Sequence, residues 1–149
     1  MKKYLSFFMG CMMVFAILSL PVSAFENESE ELQNVELLAS SYFSGITGKM
    51  NSLNGKPSSS FNISSGSIPL GSEVSGVSLN ITVSSGSSPF YIVVKEPNGY
   101  YDEQYVSSSG TVSFTQFNNL DPTGTWQVYI RTTGIVSTAT ASMTVNYTY

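Results

Sequence analysis

Val77-Ser78-Leu79-Asn80-Ile81-Thr82-Val83 puts an apolar side chain at every odd position and a small polar one at every even position. That period of two is the mark of a strand with one face on a core and one face in water. The same rhythm extends in both directions. Upstream, Phe61 and Ile63 begin a short strand. Downstream, Phe90 to Val94 is a continuous apolar run rich in β-branched residues, which fits a central strand covered on both faces. Pro97-Asn98-Gly99 supplies a turn, Tyr100 to Val106 returns, and Ser107-Ser108-Ser109-Gly110 turns again. Val112 and Phe114 form the next strand. After the turn-rich Asn118 to Gly124, Trp126, Val128 and Ile130 alternate with polar neighbours. Finally Ala139, Ala141, Met143, Val145, Tyr147 and Tyr149 share one face against Thr140, Ser142, Thr144, Asn146 and Thr148. Seven or eight short strands at this spacing predict an all-β fold, an antiparallel, jelly-roll-like β-sandwich over residues 61–149. A closed outer-membrane barrel needs eight strands of about 9–11 residues plus loops, more than this stretch supplies.

The first 24 residues read as an export signal. Lys2 and Lys3 precede an uncharged apolar run from Leu5 to Leu20, Pro21 breaks it, and Val22-Ser23-Ala24 offers small residues at a cleavage site. A run of about sixteen residues falls short of the ~20 that span a bilayer. Cys11 lies within the run rather than at its end, where a lipid-carrying cysteine would sit. Cleavage after Ala24 would leave a chain without cysteine, which favours a bacterial exporter over a disulfide-stapled eukaryotic domain. The sequons at Asn27, Asn62, Asn80 and Asn146 arise easily in a chain so rich in Ser and Thr, and carry no weight.

Residues 25–60 read as an acidic leader followed by a linker. Leu32, Val35, Leu38 and Tyr42 recur at helical spacing, and Ser44 to Ser60 is dominated by Gly, Ser and Asn, the composition of a flexible connection. Two of the six basic residues lie in the export signal and none of the ten acidic ones does, so residues 25–149 carry a net charge of −6. Such a surface is the opposite of a nucleic-acid footprint and gives no help to binding anionic membranes. Histidine is absent throughout. Without His and without cysteine beyond residue 24, no Ser-His-Asp or Cys-His machinery and no ordinary zinc site can be built. The expectation is a secreted protein that is not an enzyme, with no cofactor and no metal.

Several of these segments have a counterpart in a known family. Phe90-Tyr91-Ile92-Val93-Val94-Lys95-Glu96-Pro97-Asn98-Gly99, the later Gly124-Thr125-Trp126-Gln127-Val128-Tyr129-Ile130 and the alternating final strand resemble the jelly-roll sandwiches appended to secreted bacterial proteases, the pre-peptidase C-terminal and P-type domains. The resemblance implies a sandwich over about residues 61–149 and a non-catalytic role. Pro89-Phe90 stands where that family often has Asp-Leu, so its calcium-holding acids are not matched. The resemblance supplies no ligand.

Tyr100-Tyr101-Asp102-Glu103-Gln104-Tyr105 is the candidate site. On a strand Tyr101, Glu103 and Tyr105 point one way and Tyr100, Asp102 and Gln104 the other. Two exposed tyrosines flanking a carboxylate suit a polysaccharide or cell-wall polymer, since flat aromatics offer contact area at little entropic cost. The plainer alternative is an edge strand whose charges guard against aggregation. Asp102, Glu103 and Asp121 are the acids considered for calcium, though no Asp-x-Asp-x-Asp-Gly loop frames them. The same acids could be read as the pair of a carboxylate-based glycoside hydrolase, although among ten carboxylates some such pair always exists. Trp126, in phase with Val128 and Ile130, reads as a core anchor. The preferred expectation is therefore an accessory or binding protein of the cell exterior, with a carbohydrate or wall polymer as partner ahead of another secreted protein. A structural protein assembling through its sheet edges is the competing one.

Overall fold

A computed structural model describes residues 38–149; the export signal and most of the acidic leader lie outside the described residues. Nine strands follow in order: β1 Ser40–Ile46, β2 Met50–Leu53, β3 Phe61–Ser64, β4 Glu73–Val83, β5 Phe90–Lys95, β6 Tyr101–Val106, β7 Gly110–Phe114, β8 Thr125–Thr132 and β9 Val136–Thr148. No helix occurs among the described residues, and so none long and apolar enough to cross a membrane.

The strands form two antiparallel sheets. Sheet A has the order β1-β9-β4-β7, with β2 also pairing β9; sheet B has the order β3-β8-β5-β6. If β1 and β2 are counted as one interrupted strand, each sheet interleaves strands from both halves of the chain, which is the jelly-roll arrangement. The thirteen-residue β9 is the spine of sheet A: β1 and β2 pair along one edge and β4 along the other. A register shift between Val74 and Gly76 lets Val74 and Val77 both face inward.

The predicted alternation is what fills the space between the sheets. Val77, Leu79 and Ile81 meet Ala141, Met143 and Val145 from sheet A, and Phe90, Ile92, Val94, Val128 and Ile130 close the core from sheet B. Trp126 is fully buried and packs edge-on against Phe117, with ring centroids 5.3 Å apart. Its Nε1–H donates to the Pro122 carbonyl at 3.0 Å, so the indole brings no unpaired donor into the core.

The Gly-Thr-Trp and Pro-Asn-Gly segments meet in space. Gly124 has φ 125°, and a Cβ there would lie 2.8 Å from Pro97 Cβ. Only glycine satisfies both conditions.

Residues 40–60 correct the expectation of a flexible linker, and residues 40–44 that of helical character at the leader's end; the leader's residues 25–37 lie outside the described residues. Ser40 to Ile46 is a strand in seven-residue register with β9, and Met50 to Leu53 is a second one beside it. Serines and a threonine in this segment serve as backbone partners. Ser52 Oγ accepts from Thr132 N at 2.7 Å, Ser58 Oγ from Ile130 N at 3.1 Å and Thr47 Oγ1 from Ala141 N at 2.8 Å. All three residues are buried. Gly45 is there for space: a Cβ on it would stand 2.7 Å from Ile63 Cγ2. The polar, glycine-rich composition that resembles a linker is here the composition of a closely fitted edge.

Candidate functional site

The two sheets present outer faces of different chemistry. On sheet B the register sets three rows across β8, β5 and β6: Arg131–Tyr91–Tyr105, Tyr129–Val93–Glu103 and Gln127–Lys95–Tyr101. Residues paired in register share a face, so the predicted Tyr101, Glu103 and Tyr105 stand together on this outer face. Tyr101 is 59% exposed and Tyr105 55%. Four residue steps of strand separate them, a span of roughly 13 Å.

The hairpin that carries β6 is braced by a buried acid. Glu96 is 3% exposed, and its carboxylate accepts from Asn98 N at 2.8 Å, Asn98 Nδ2 at 3.2 Å and Tyr100 N at 2.7 Å. The backbone closes the same turn, with Gly99 N donating to Glu96 O at 3.0 Å and Glu96 N to Tyr100 O at 2.9 Å. Three donors on one carboxylate make the turn rigid, and the turn fixes where β6 begins.

Over β5 the face is tied together by charge. Arg131 Nη2 reaches both oxygens of Glu103, at 3.0 and 2.9 Å, so the ion pair crosses the strand between them. Its guanidinium also lies 5.5 Å from the Tyr91 ring centroid, and Tyr91 meets Tyr105 edge-on at 5.6 Å. Beneath this arrangement Val93 is buried although it points outward. A shallow depression of about 340 Å³ opens here, with Pro57, Val93, Tyr101, Glu103, Tyr129 and Arg131 among its walls. It combines aromatic surface, a carboxylate acceptor and a guanidinium donor.

Tyr91, Tyr129 and Arg131 are the members of this face that the sequence reading missed. The signal was available: each has the outward parity of its strand, opposite Ile92 and Ile130. What was lacking was the order of strands, which alone leaves a single strand, β5, between β8 and β6.

The candidate calcium and hydrolase residues are placed apart. Asp121 Oδ1 accepts from Thr123 N at 2.8 Å and Glu103 is bound to Arg131. Asp102 pairs in register with Val94, and its Oδ2 is buried without a hydrogen-bond partner among the described residues. Asp102 and Glu103 leave β6 on opposite sides. Among the described residues no group of three or more His, Cys, Asp or Glu side chains gathers in a metal-binding arrangement.

Sheet A's outer face carries one charged residue across its four long-paired strands, Glu73 at the start of β4, in the row Ser40–Thr148–Glu73. Its rows include Ile46–Ser142–Asn80–Thr111 and Ser44–Thr144–Ser78–Ser113. A depression of about 400 Å³ lies here, walled by Ile46, Thr47, Asn80, Thr82, Thr140 and Ser142.

No protein-family model matches the chain, and no curated protein does. Among solved structures, the crystal structure of FlhE is similar at 13% identity and a TM-score of 0.49, over 75% of this chain and 98% of that one. A structure of Bacillus endospore appendages, a family of disulfide-linked pili, is similar at 18% identity and a TM-score of 0.41, over 74% of this chain and 89% of that one.

Proposed function

We propose that the protein is an exported, non-catalytic accessory protein that holds a hydroxyl-rich polymer of the cell exterior against the outer face of sheet B. The observation that carries this reading is the joint placement of Tyr101 and Tyr105, both more than half exposed, around the Glu103–Arg131 pair. Sugar rings present flat C–H faces that stack on tyrosine, and equatorial hydroxyls that bond a carboxylate and a guanidinium. An open face rather than an enclosed pocket suits a chain that continues past the site at both ends. The ion pair fixes the polar groups before the polymer arrives, which lowers the entropy lost on binding. Export fits the pattern of residues 1–24, and the resemblance to secreted protease-appended sandwiches agrees with a non-catalytic role.

The test is retention of the exported protein on insoluble polysaccharide and on cell-wall preparations. The reading expects retention by at least one of them and its loss on joint replacement of Tyr101 and Tyr105 by alanine. Retention by none, or retention that survives the double replacement, contradicts it.

A further inference from the structure

The geometry points to β1 as a pairing edge for a second copy of this chain, with two β1 strands running antiparallel about a two-fold axis at Phe43. Ala39 and Tyr149 exchange both backbone hydrogen bonds, at 3.0 and 2.9 Å, and Thr47 N reaches Ala141 O at 2.8 Å. Bonded and non-bonded pairs alternate along an antiparallel ladder. The odd-numbered residues of β1 are therefore the ones bonded to β9. Ser40, Tyr42, Ser44 and Ile46 turn their N–H and C=O groups to the opposite edge, where no strand pairs with them among the described residues.

This edge lacks the devices that keep sheet edges apart. Its seven residues run in unbroken register with β9, with no charge, no proline and no bulge. The other edges differ: β6 carries Asp102 and Glu103, and β3 and β7 have four and five residues. Tyr42 and Ile46 are 65% and 79% exposed beside it. The outer face that continues from β1 into β9 is uncharged, and sheet A's one outward strand charge, Glu73, lies two strands from the edge on β4. For a chain whose residues 25–149 carry a net −6, this is where two copies approach with least repulsion.

The strand is also complementary to itself. In an antiparallel pair centred on Phe43, Ser40 faces the other copy's Ile46 and Tyr42 its Ser44. Those are the four residues whose backbone groups are free, so each outward N–H and C=O finds a partner. Phe43, only partly buried against the core, meets its own copy at a non-bonded position, where the chains approach to about 4.5 Å between Cα atoms. The two Tyr42 rings become diagonal neighbours on the outer face, within reach of one another. A two-fold contact of this kind closes on itself and joins two copies of sheet A into one continuous sheet. This inference is independent of the polymer-binding reading, because sheet B takes no part in it.

The test uses the protein expressed from its full coding sequence in an exporting host. Cys11→Ser makes any introduced cysteine the sole thiol. Sedimentation across a concentration series is expected to show a monomer–dimer equilibrium. Under mild oxidation Phe43→Cys is expected to form a covalent dimer, because residue 43 faces itself. Ser41→Cys is not, because its two copies lie roughly 13 Å apart, beyond disulfide reach. Phe43→Cys removes a ring that touches the core, so Ser44→Lys, an exposed change, provides a second arm. It should raise the dimer dissociation constant roughly tenfold or more with an unchanged melting temperature of the monomer. The proposal is overturned by a monomer at every concentration. A dimer indifferent to Ser44→Lys and not cross-linked at residue 43 overturns it equally. So does a monomer whose Tyr42, Ser44 and Ile46 amides resist hydrogen exchange, since the chain's own residues 25–37 would then cover the edge.

Discussion

The outer faces of the two sheets are built on one core, yet they are different solvents. Sheet A offers serine, threonine and asparagine hydroxyls and amides with a single charge, Glu73, at one end, while sheet B offers tyrosines around a crossed ion pair. Both faces obey the same alternation, so neither difference is needed to fold the sandwich. Outward positions are where a strand's sequence is free to serve something other than its core. Sheet B spends that freedom on aromatic area and fixed polar groups, and sheet A on small, mostly uncharged polar side chains.

The widest effect comes from beneath both faces. Trp126→Ala removes a fully buried ring and should cost about 3–5 kcal/mol, lowering the melting temperature and abolishing both polymer retention and self-association. If either activity persisted at the wild-type melting temperature, the shared core would not support that face. A more selective change is Glu96→Ala, which strips three donors of their acceptor in the turn that launches β6. Its expected cost is about 2–3 kcal/mol in chemical denaturation, with local loss of amide protection in β5 and β6 and little in β1 and β9. Equal loss of protection in both sheets would mean the turn is not the local brace described above.

How much of this contrast was legible in the sequence follows from which residues carry it. The inward positions of β4, β5, β8 and β9 announced themselves, because Val, Ile, Leu and Met on a strict period of two have few other uses. Strands β1 and β2 did not. Their buried positions are Met50 and Ser52, and Ser52, like Thr47 and Ser58, is buried to complete a neighbouring strand's hydrogen bonds rather than to exclude water. A hydroxyl that replaces a backbone partner looks, in sequence, like a hydroxyl in a loop. Tyr42 at helical spacing from Leu38 and Val35 added to the confusion, and in the structure it stands exposed on an edge strand. At the candidate site the parity of β6 was readable and placed Tyr101, Glu103 and Tyr105 together. Arg131, 28 residues beyond Glu103 in another strand's register, became a neighbour only through the sheet order, which no local pattern encodes.

Smaller effects separate the faces more finely. Single replacements at outward positions of sheet A, such as Thr144→Ala or Ser142→Ala, should change stability by no more than about 0.5 kcal/mol and leave polymer retention intact. Loss of retention in these variants would move the binding face to the other sheet. Smallest in stability is the Glu103–Arg131 pair. Both side chains are partly exposed, so a double-mutant cycle should return a coupling of about 1 kcal/mol or less in stability. The same pair should matter more to binding than to folding. Glu103→Gln and Arg131→Ala are each expected to weaken retention while the melting temperature holds.

The central claim is that sheet B's outer face is the working surface. It is tested most directly by comparing the Tyr101→Ala, Tyr105→Ala double variant with a Thr140→Ala, Thr144→Ala control for retention on insoluble wall polymer, with melting temperatures measured alongside. The account predicts that the tyrosine variant is released while the control stays bound, both melting as the wild type does. Retention of the tyrosine variant at the wild-type level, or release of the control, would contradict it.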